Sequence, residues 1–251
     1  MTNTLQLNSF IFDDPVDYKG LKIYPVRLKD YIHFNFSVEC LLIDKNSIPD
    51  TNIISMGYMD YLLKYATDEN RHIQMLAGLI YVCLKTDVDN IKFKIDENNK
   101  YVLSILNIEI TNDDFEEIKK IILEQNLVDV PDYSIQKEIR DKIDEGKKLR
   151  IKIAKNKPAS FEDQIVSLSI AGGLPLENIY EMTYRKFVKS IGRMDLLIHY
   201  KIFLQSSMSG MVSFKDKSFI KHWLNDITET ENPDMIELDA MKKKISFEDK
   251  K

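Results

Sequence analysis

The apolar positions along this chain change period twice, and the changes mark its organisation. Residues 1–20 are polar or mixed, with Asp13, Asp14 and Asp17 around Pro15. A short strand, Leu21-Lys22-Ile23-Tyr24, follows and is stopped by Pro25. From Leu28 to Ile43 the apolar residues Tyr31, Ile32, Phe34, Phe36, Val38, Leu41 and Leu42 are too frequent for a narrow stripe, which predicts a helix buried on more than one side. Asp44 to Asp50 has turn composition, and helices are expected at 53–66 and 71–85, the second nearly apolar throughout and therefore central. The period then becomes two. Ile91, Phe93 and Ile95 alternate with Lys92, Lys94 and Asp96, Glu97 to Lys100 makes a turn, and Tyr101 to Leu106 returns as a hairpin that Ile108 to Ile110 extends. Helical spacing resumes after Thr111, with an acidic first turn and Phe115, Ile118, Ile121 and Ile122 on one face.

Pro131 marks a break, and charge then dominates. Of the 24 residues from Ser134 to Lys157, nine are basic and four acidic. The apolar positions Ile135, Ile139, Ile143, Leu149 and Ile153 form only a thin stripe, which predicts a long solvated connecting helix. After Pro158, Ser160-Phe161-Glu162-Asp163 has a capping pattern. A helix follows to the Gly172-Gly173 stop, Pro175 opens a short helix through Met182, and Thr183 caps a longer one ending near Gly210. A last helix is expected at about 216–226. The predicted class is α+β, predominantly helical: a mixed domain at 1–130 with a β-hairpin, a charged connector helix at 131–159, an all-helical domain at 160–227 and a mobile polar tail at 228–251.

Composition narrows the function classes. The 44% hydrophobic and 30% charged content of the 251 residues is that of a globular protein, and the net charge of −5 offers nucleic acid and anionic membrane no overall attraction. Met1 to Asn8 has no signal-peptide pattern, and no run approaches the ~18–20 apolar residues of a membrane span. The expected location is the cytoplasm. Cys40 and Cys83 lie in apolar segments and read as buried free thiols.

Catalytic chemistry finds no foothold in the pattern. None of the eight glycines builds a phosphate loop, and His33, His72, His199 and His222 stand apart with no second ligand at metal-binding spacing. Glu116-Glu117 and Asp113-Asp114 are explained by the first turns of a helix. The expectation is no catalytic residue, no metal and no cofactor. Ile165 to Ile191 mimics a helix-turn-helix, but Glu177 and Glu181 on the short helix would repel phosphates, so nucleic acid ranks below protein as a partner. Trp223 is the candidate anchor for a protein partner, with Tyr180, Tyr184 and Phe187 as secondary candidates. The opposing account is that all four fill a core. Oligomeric state is left open.

The stretch from Ile170 through Gly172-Gly173, Pro175 and Met182-Thr183 to Phe187 resembles a pattern in phage tail assembly chaperones, and the whole layout, with His222-Trp223 near its end, resembles tail-module proteins of phages with AT-rich genomes. That resemblance implies a non-catalytic helper, in the host cytoplasm, that binds the tape-measure or tail-tube protein. A structural tail or baseplate component is the nearest rival, and a DNA-binding regulator a more distant one.

Overall fold

A computed structural model describes residues 4–64, 71–95, 101–131, 133, 135, 137–153, 159–209 and 222–225. The chain is α+β and predominantly helical, as the pattern predicts. Its contacts separate it into two compact units, 1–188 and 189–251.

The first unit begins with two elements that composition hides. Helix α1 (Thr4–Phe12) and strand β1 (Val16–Tyr18) occupy the mixed N-terminal stretch. Strand β2 (Leu21–Ile23) pairs antiparallel with β1, Val16 opposite Ile23. Lys19 and Gly20 turn the hairpin with φ of 52° and 86°, the double left-handed geometry that matches strand twist, and the Asp17 carboxylate accepts the Gly20 N–H at 2.9 Å.

Helix α2 (Tyr31–Val38) has short 3-10 turns at both ends. It buries Phe34, Ser37 and Val38, but Ile32 and Phe36 are exposed, so it is covered on one side rather than all round. The single helix expected at 53–66 is divided into α3 (Thr51–Ser55) and α4 (Tyr58–Lys64). The cause is Asn112, whose side chain occupies the place where a Cβ at Gly57 would stand. Its carbonyl oxygen accepts the Asp60 N–H at 3.2 Å, and its amide donates to the Asp60 carboxylate at 2.8 Å. Helix α5 (Arg71–Leu84) is central, burying Met75, Leu76, Leu79, Ile80, Cys83 and Leu84.

Strands β3 (Ile91–Ile95), β4 (Tyr101–Ile105) and β5 (Ile108–Ile110) form one antiparallel sheet in that order. Leu103, Ile105 and Ile110 enter the core, whereas Phe93 on the edge strand is exposed. Helix α6 (Asn112–Gln125) starts with a full capping box: Asp114 N–H donates to the Thr111 hydroxyl oxygen, and the Asp114 carboxylate accepts the Thr111 N–H. One apolar cluster joins α2, α4, α5, β2, β4, β5 and α6. Asn126, fully buried, ties it to the chain beyond β2: its side-chain oxygen accepts the Val26 N–H at 2.9 Å, and its amide donates to the Ile122 carbonyl. Cys40 and Cys83 are free and buried, and burial pushes the Cys40 thiol up to about 12, so neither is primed as a nucleophile.

Helix α7 (Lys137–Ile153) lies within the charged stretch expected at 131–159. Its first turn is held by an Arg140–Asp44 ion pair, with the Arg140 guanidinium 5.0 Å from the Tyr133 ring and the Tyr133 hydroxyl donating to the Leu42 carbonyl at 2.8 Å. Then come α8 (Phe161–Gly172), α9 (Leu176–Glu181) and α10 (Tyr184–Met208). In the second unit, Arg193 donates to the carbonyls of Trp223 (2.9 Å) and Asn225, and Tyr200 meets His222 edge-on at 5.0 Å. Most of the helix expected at 216–226 lies outside the described residues, and its described part, 222–225, is a turn. The expected tail at 228–251 also lies outside them.

Candidate protein-binding segment

The segment from 160 to 187 is built by local signals. Ser160 and Asp163 make a capping box for α8, and Gly173 closes that helix in the left-handed conformation at φ 63°. Pro175 precedes α9, which ends at Glu181. Thr183 then caps α10 by accepting the Lys186 N–H at 3.3 Å.

These helices are clamped to the N-terminal part of the same unit. Arg27 and Thr183 form an antiparallel bridge, with Leu28 N–H donating to the Met182 carbonyl and Tyr184 N–H to the Val26 carbonyl, both at 2.8 Å. The Thr183 hydroxyl donates to Asp13 at 2.9 Å, and the Lys186 ammonium lies 2.6 Å from the same carboxylate. Glu181 pairs with Lys29 at 2.6 Å and with Arg27, and these two, Lys29 first, hold its carboxyl below its ordinary value. Arg185 donates to the Glu124 carbonyl at 2.8 Å and lies over the Phe10 ring. An aromatic cluster completes the junction. Tyr184 stacks on Tyr31 with centroids 4.0 Å apart, Phe161 packs against Tyr31 at 5.1 Å, and Phe187 meets Phe161 edge-on at 5.7 Å.

The four candidate anchors therefore separate. Phe187 is 1% exposed, so it packs in the interior and no partner can touch it in this fold. Sequence alone cannot show this, because Phe161, whose ring packs against it, comes from elsewhere in the chain. Tyr184 is half-buried on Tyr31, and that burial raises its hydroxyl above the ordinary range. Tyr180 remains 41% exposed on α9. Trp223 belongs to the second unit, half-buried, with its carbonyl held by Arg193. Two residues of α8 join Tyr180 as exposed apolar groups: Val166, and Ile170 at 78%. They stand one turn apart on one helix face. Their signal was an excess, since α8 carries more apolar residues (Ile165, Val166, Leu168, Ile170) than the single buried one, Leu168, uses.

The electrostatics also change one argument. Glu181 is neutralised by Arg27 and Lys29 rather than presented as a bare negative charge, so only Glu177 still opposes a phosphate backbone on α9. Among the described residues no three His, Cys, Asp or Glu side chains are placed to hold a metal ion, and no helix is long and apolar enough to cross a membrane.

A family model described as the YomV second domain matches residues 153–228, which contain α8, α9 and α10. No curated protein and no solved structure matches the chain.

Proposed function

We propose that this is a phage-encoded, non-catalytic assembly factor of the tail assembly chaperone kind, acting in the host cytoplasm on a tape-measure or tail-tube protein. The YomV second-domain match supports the phage origin, and the resemblance of residues 170–187 supports the assembly role. The observation that carries the reading is a rigidly seated segment with apolar groups left outside. Thr183, Glu181, Arg185 and Tyr184 fix the start of α10 and its approach from α9, while Val166, Ile170 and Tyr180 face away from the core. A fixed scaffold presenting exposed apolar side chains lowers the ordering cost of capturing an extended or immature partner.

The test is affinity purification of the full chain co-expressed with the tape-measure or tail-tube protein. Wild type retains one of them. The double variant Ile170→Glu/Tyr180→Ala, its unfolding unchanged, loses at least about 30-fold in affinity, the effect of ~2 kcal/mol at a binding hot spot. Undiminished capture by that variant, or no capture by wild type, refutes the proposal. The chain is absent from mature particles if it is a chaperone, and its presence there would make it a structural tail or baseplate component instead.

A further inference from the structure

The apolar groups left outside on α8 and α9 are set in a surface of one charge sign. From Ala159 through Tyr184 the chain carries Glu162, Asp163, Glu177 and Glu181 and no lysine, arginine or histidine. Over the full length 35 of 251 residues are Lys or Arg, about one in seven, so the gap is a local departure. Helix first turns explain why acids stand at 162, 163 and 177. They do not explain the missing bases, because a helix's last turn favours cations and neither α8 nor α9 has one there. Glu181 is neutralised from outside by Arg27 and Lys29. Glu162, Asp163 and Glu177 are exposed, and no described lysine or arginine forms an ion pair with them. Helical spacing aligns these charges with the apolar groups. Glu162, Val166 and Ile170 recur at successive turns of α8, and Glu177 stands one turn before Tyr180 on α9. Val166, Ile170 and Tyr180 are 41%, 78% and 41% exposed. Each helix thus presents apolar surface with a glutamate at the N-terminal end of the same face.

Resting on the reading of α8 and α9 as the protein-binding segment, we propose that the partner's contacting element is a basic amphipathic helix. Its apolar stripe covers Val166, Ile170 and Tyr180, and flanking lysines or arginines meet Glu162 and Glu177. The sign of the charge selects the class of occupant. Nucleic-acid phosphates and anionic lipid headgroups are repelled by three uncompensated carboxylates, whereas a cationic segment gains from each. A second copy seated face to face is disfavoured too, since a two-fold axis sets the same acids against one another. The spacing selects the helix. Groups at i and i+4 on α8 recur every ~6 Å along the axis, the period at which a facing helix offers its own i and i+4 residues. Apolar burial supplies the affinity, while the glutamates set orientation and encounter rate, a contribution that salt screens.

The test titrates the full chain with two fluorescent amphipathic helical peptides, one of leucine and lysine and one with glutamate replacing every lysine. Fluorescence anisotropy shows binding of the leucine–lysine peptide and none of the leucine–glutamate peptide. Glu162→Lys/Glu177→Lys weakens that binding by about tenfold or more, as does the neutral pair Ile170→Ser/Tyr180→Ser. Glu162→Gln/Glu177→Gln, which places no cation in a helix first turn, weakens it by about threefold with unchanged unfolding. Glu117→Lys/Asp129→Lys changes the net charge equally at exposed positions elsewhere and stays within about twofold of wild type. Absence of leucine–lysine binding, equal loss in both lysine double variants, or uptake of duplex DNA or anionic vesicles through this face overturns the proposal. Self-association that Ile170→Ser/Tyr180→Ser abolishes overturns it as well, by making a second copy the occupant. The assembly-factor reading fails separately. If the chain captures tape-measure or tail-tube protein and Glu162→Lys/Glu177→Lys captures it equally well, that reading stands and this proposal falls. If the peptides behave as expected and neither protein is captured, the reverse holds.

Discussion

Replacing Phe187 by alanine separates a core role from an interface role at the residue where the two expectations conflict most. The side chain is 1% exposed and meets Phe161 edge-on at 5.7 Å. Full burial of a phenylalanine contributes about 1.5–3 kcal/mol through apolar surface alone. The edge-to-face contact adds about 0.5–1.5 kcal/mol, and the cavity left behind brings phenylalanine-to-alanine losses to about 3–5 kcal/mol. The site has limited room to collapse, because Thr183, Arg185 and Lys186 are tied to Asp13 and Glu124 on both sides of α10's first turn. At roughly 2–4 °C per kcal/mol, a loss of about 4 kcal/mol lowers the melting temperature of the first unit by roughly 8–16 °C. Thermal unfolding followed by circular dichroism reads this directly, with Tyr180→Ala as the control expected to cost under ~1 kcal/mol. A Phe187→Ala protein that melts within about 2 °C of wild type yet no longer retains its partner would refute the core assignment and restore Phe187 as an anchor.

Three other outcomes follow from the fold. Asp114 accepts from Lys19 (2.6 Å), Tyr18 (2.9 Å) and both the N–H and hydroxyl of Thr111. Burial pushes its carboxyl up, but these bonds outweigh it and hold the group well below the ordinary carboxylate range. A depressed carboxyl stabilises the fold above its unfolded value of about 4, and that stabilisation is lost as pH falls below it. Asp114→Asn therefore destabilises by about 1.5–3 kcal/mol at pH 7, with the exposed Lys19 pair contributing little, and the difference from wild type shrinks in urea titrations run toward pH 2; a pH-independent difference would contradict this. Leu106 turns the β4–β5 hairpin at φ 53°, a left-handed conformation that costs a leucine about 1 kcal/mol, so Leu106→Asn raises stability by about 0.5–1 kcal/mol in the same titration. Limited proteolysis cuts first within 131–159 or beyond 228, and first cuts confined to 71–85 would refute the expected organisation.

What was legible in the sequence was local. Thr111 with Asp114 and Ser160 with Asp163 announce their helices because a capping box needs only neighbours. Gly173 stops α8 for the same kind of reason, as the residue that reaches φ 63° without a Cβ penalty. The hairpin at 91–105 is visible because a period of two is a property of the backbone. The misses at Gly57, Phe187 and Tyr184 depend on distant residues. The break before α4 needs Asn112, more than fifty positions away. The burial of Phe187 needs Phe161, and the stacking of Tyr184 needs Tyr31, 153 positions away. Phe93 lies on an edge strand, so half of its period-two signal faces outward.

The Met182-to-Phe187 stretch shows why a recognition-like motif and a docking motif are hard to tell apart before a structure exists. Both need a hydroxyl cap, alternating cations and aromatic residues, because both must satisfy backbone groups at a helix start while burying rings against another surface. Here the other surface is the chain's own Asp13, Val26 to Tyr31 and Glu124. The donors and acceptors of the motif are engaged there, with Tyr184 N–H on Val26 and the Met182 carbonyl on Leu28. A partner that competed for this stretch would have to replace two backbone hydrogen bonds, the Thr183–Asp13 bond and a stacked aromatic pair, and at about 0.5–1.5 kcal/mol each that displacement is costly. Binding at no such cost is confined to the faces the clamp leaves outside. On α8 and α9 those faces carry Val166, Ile170 and Tyr180.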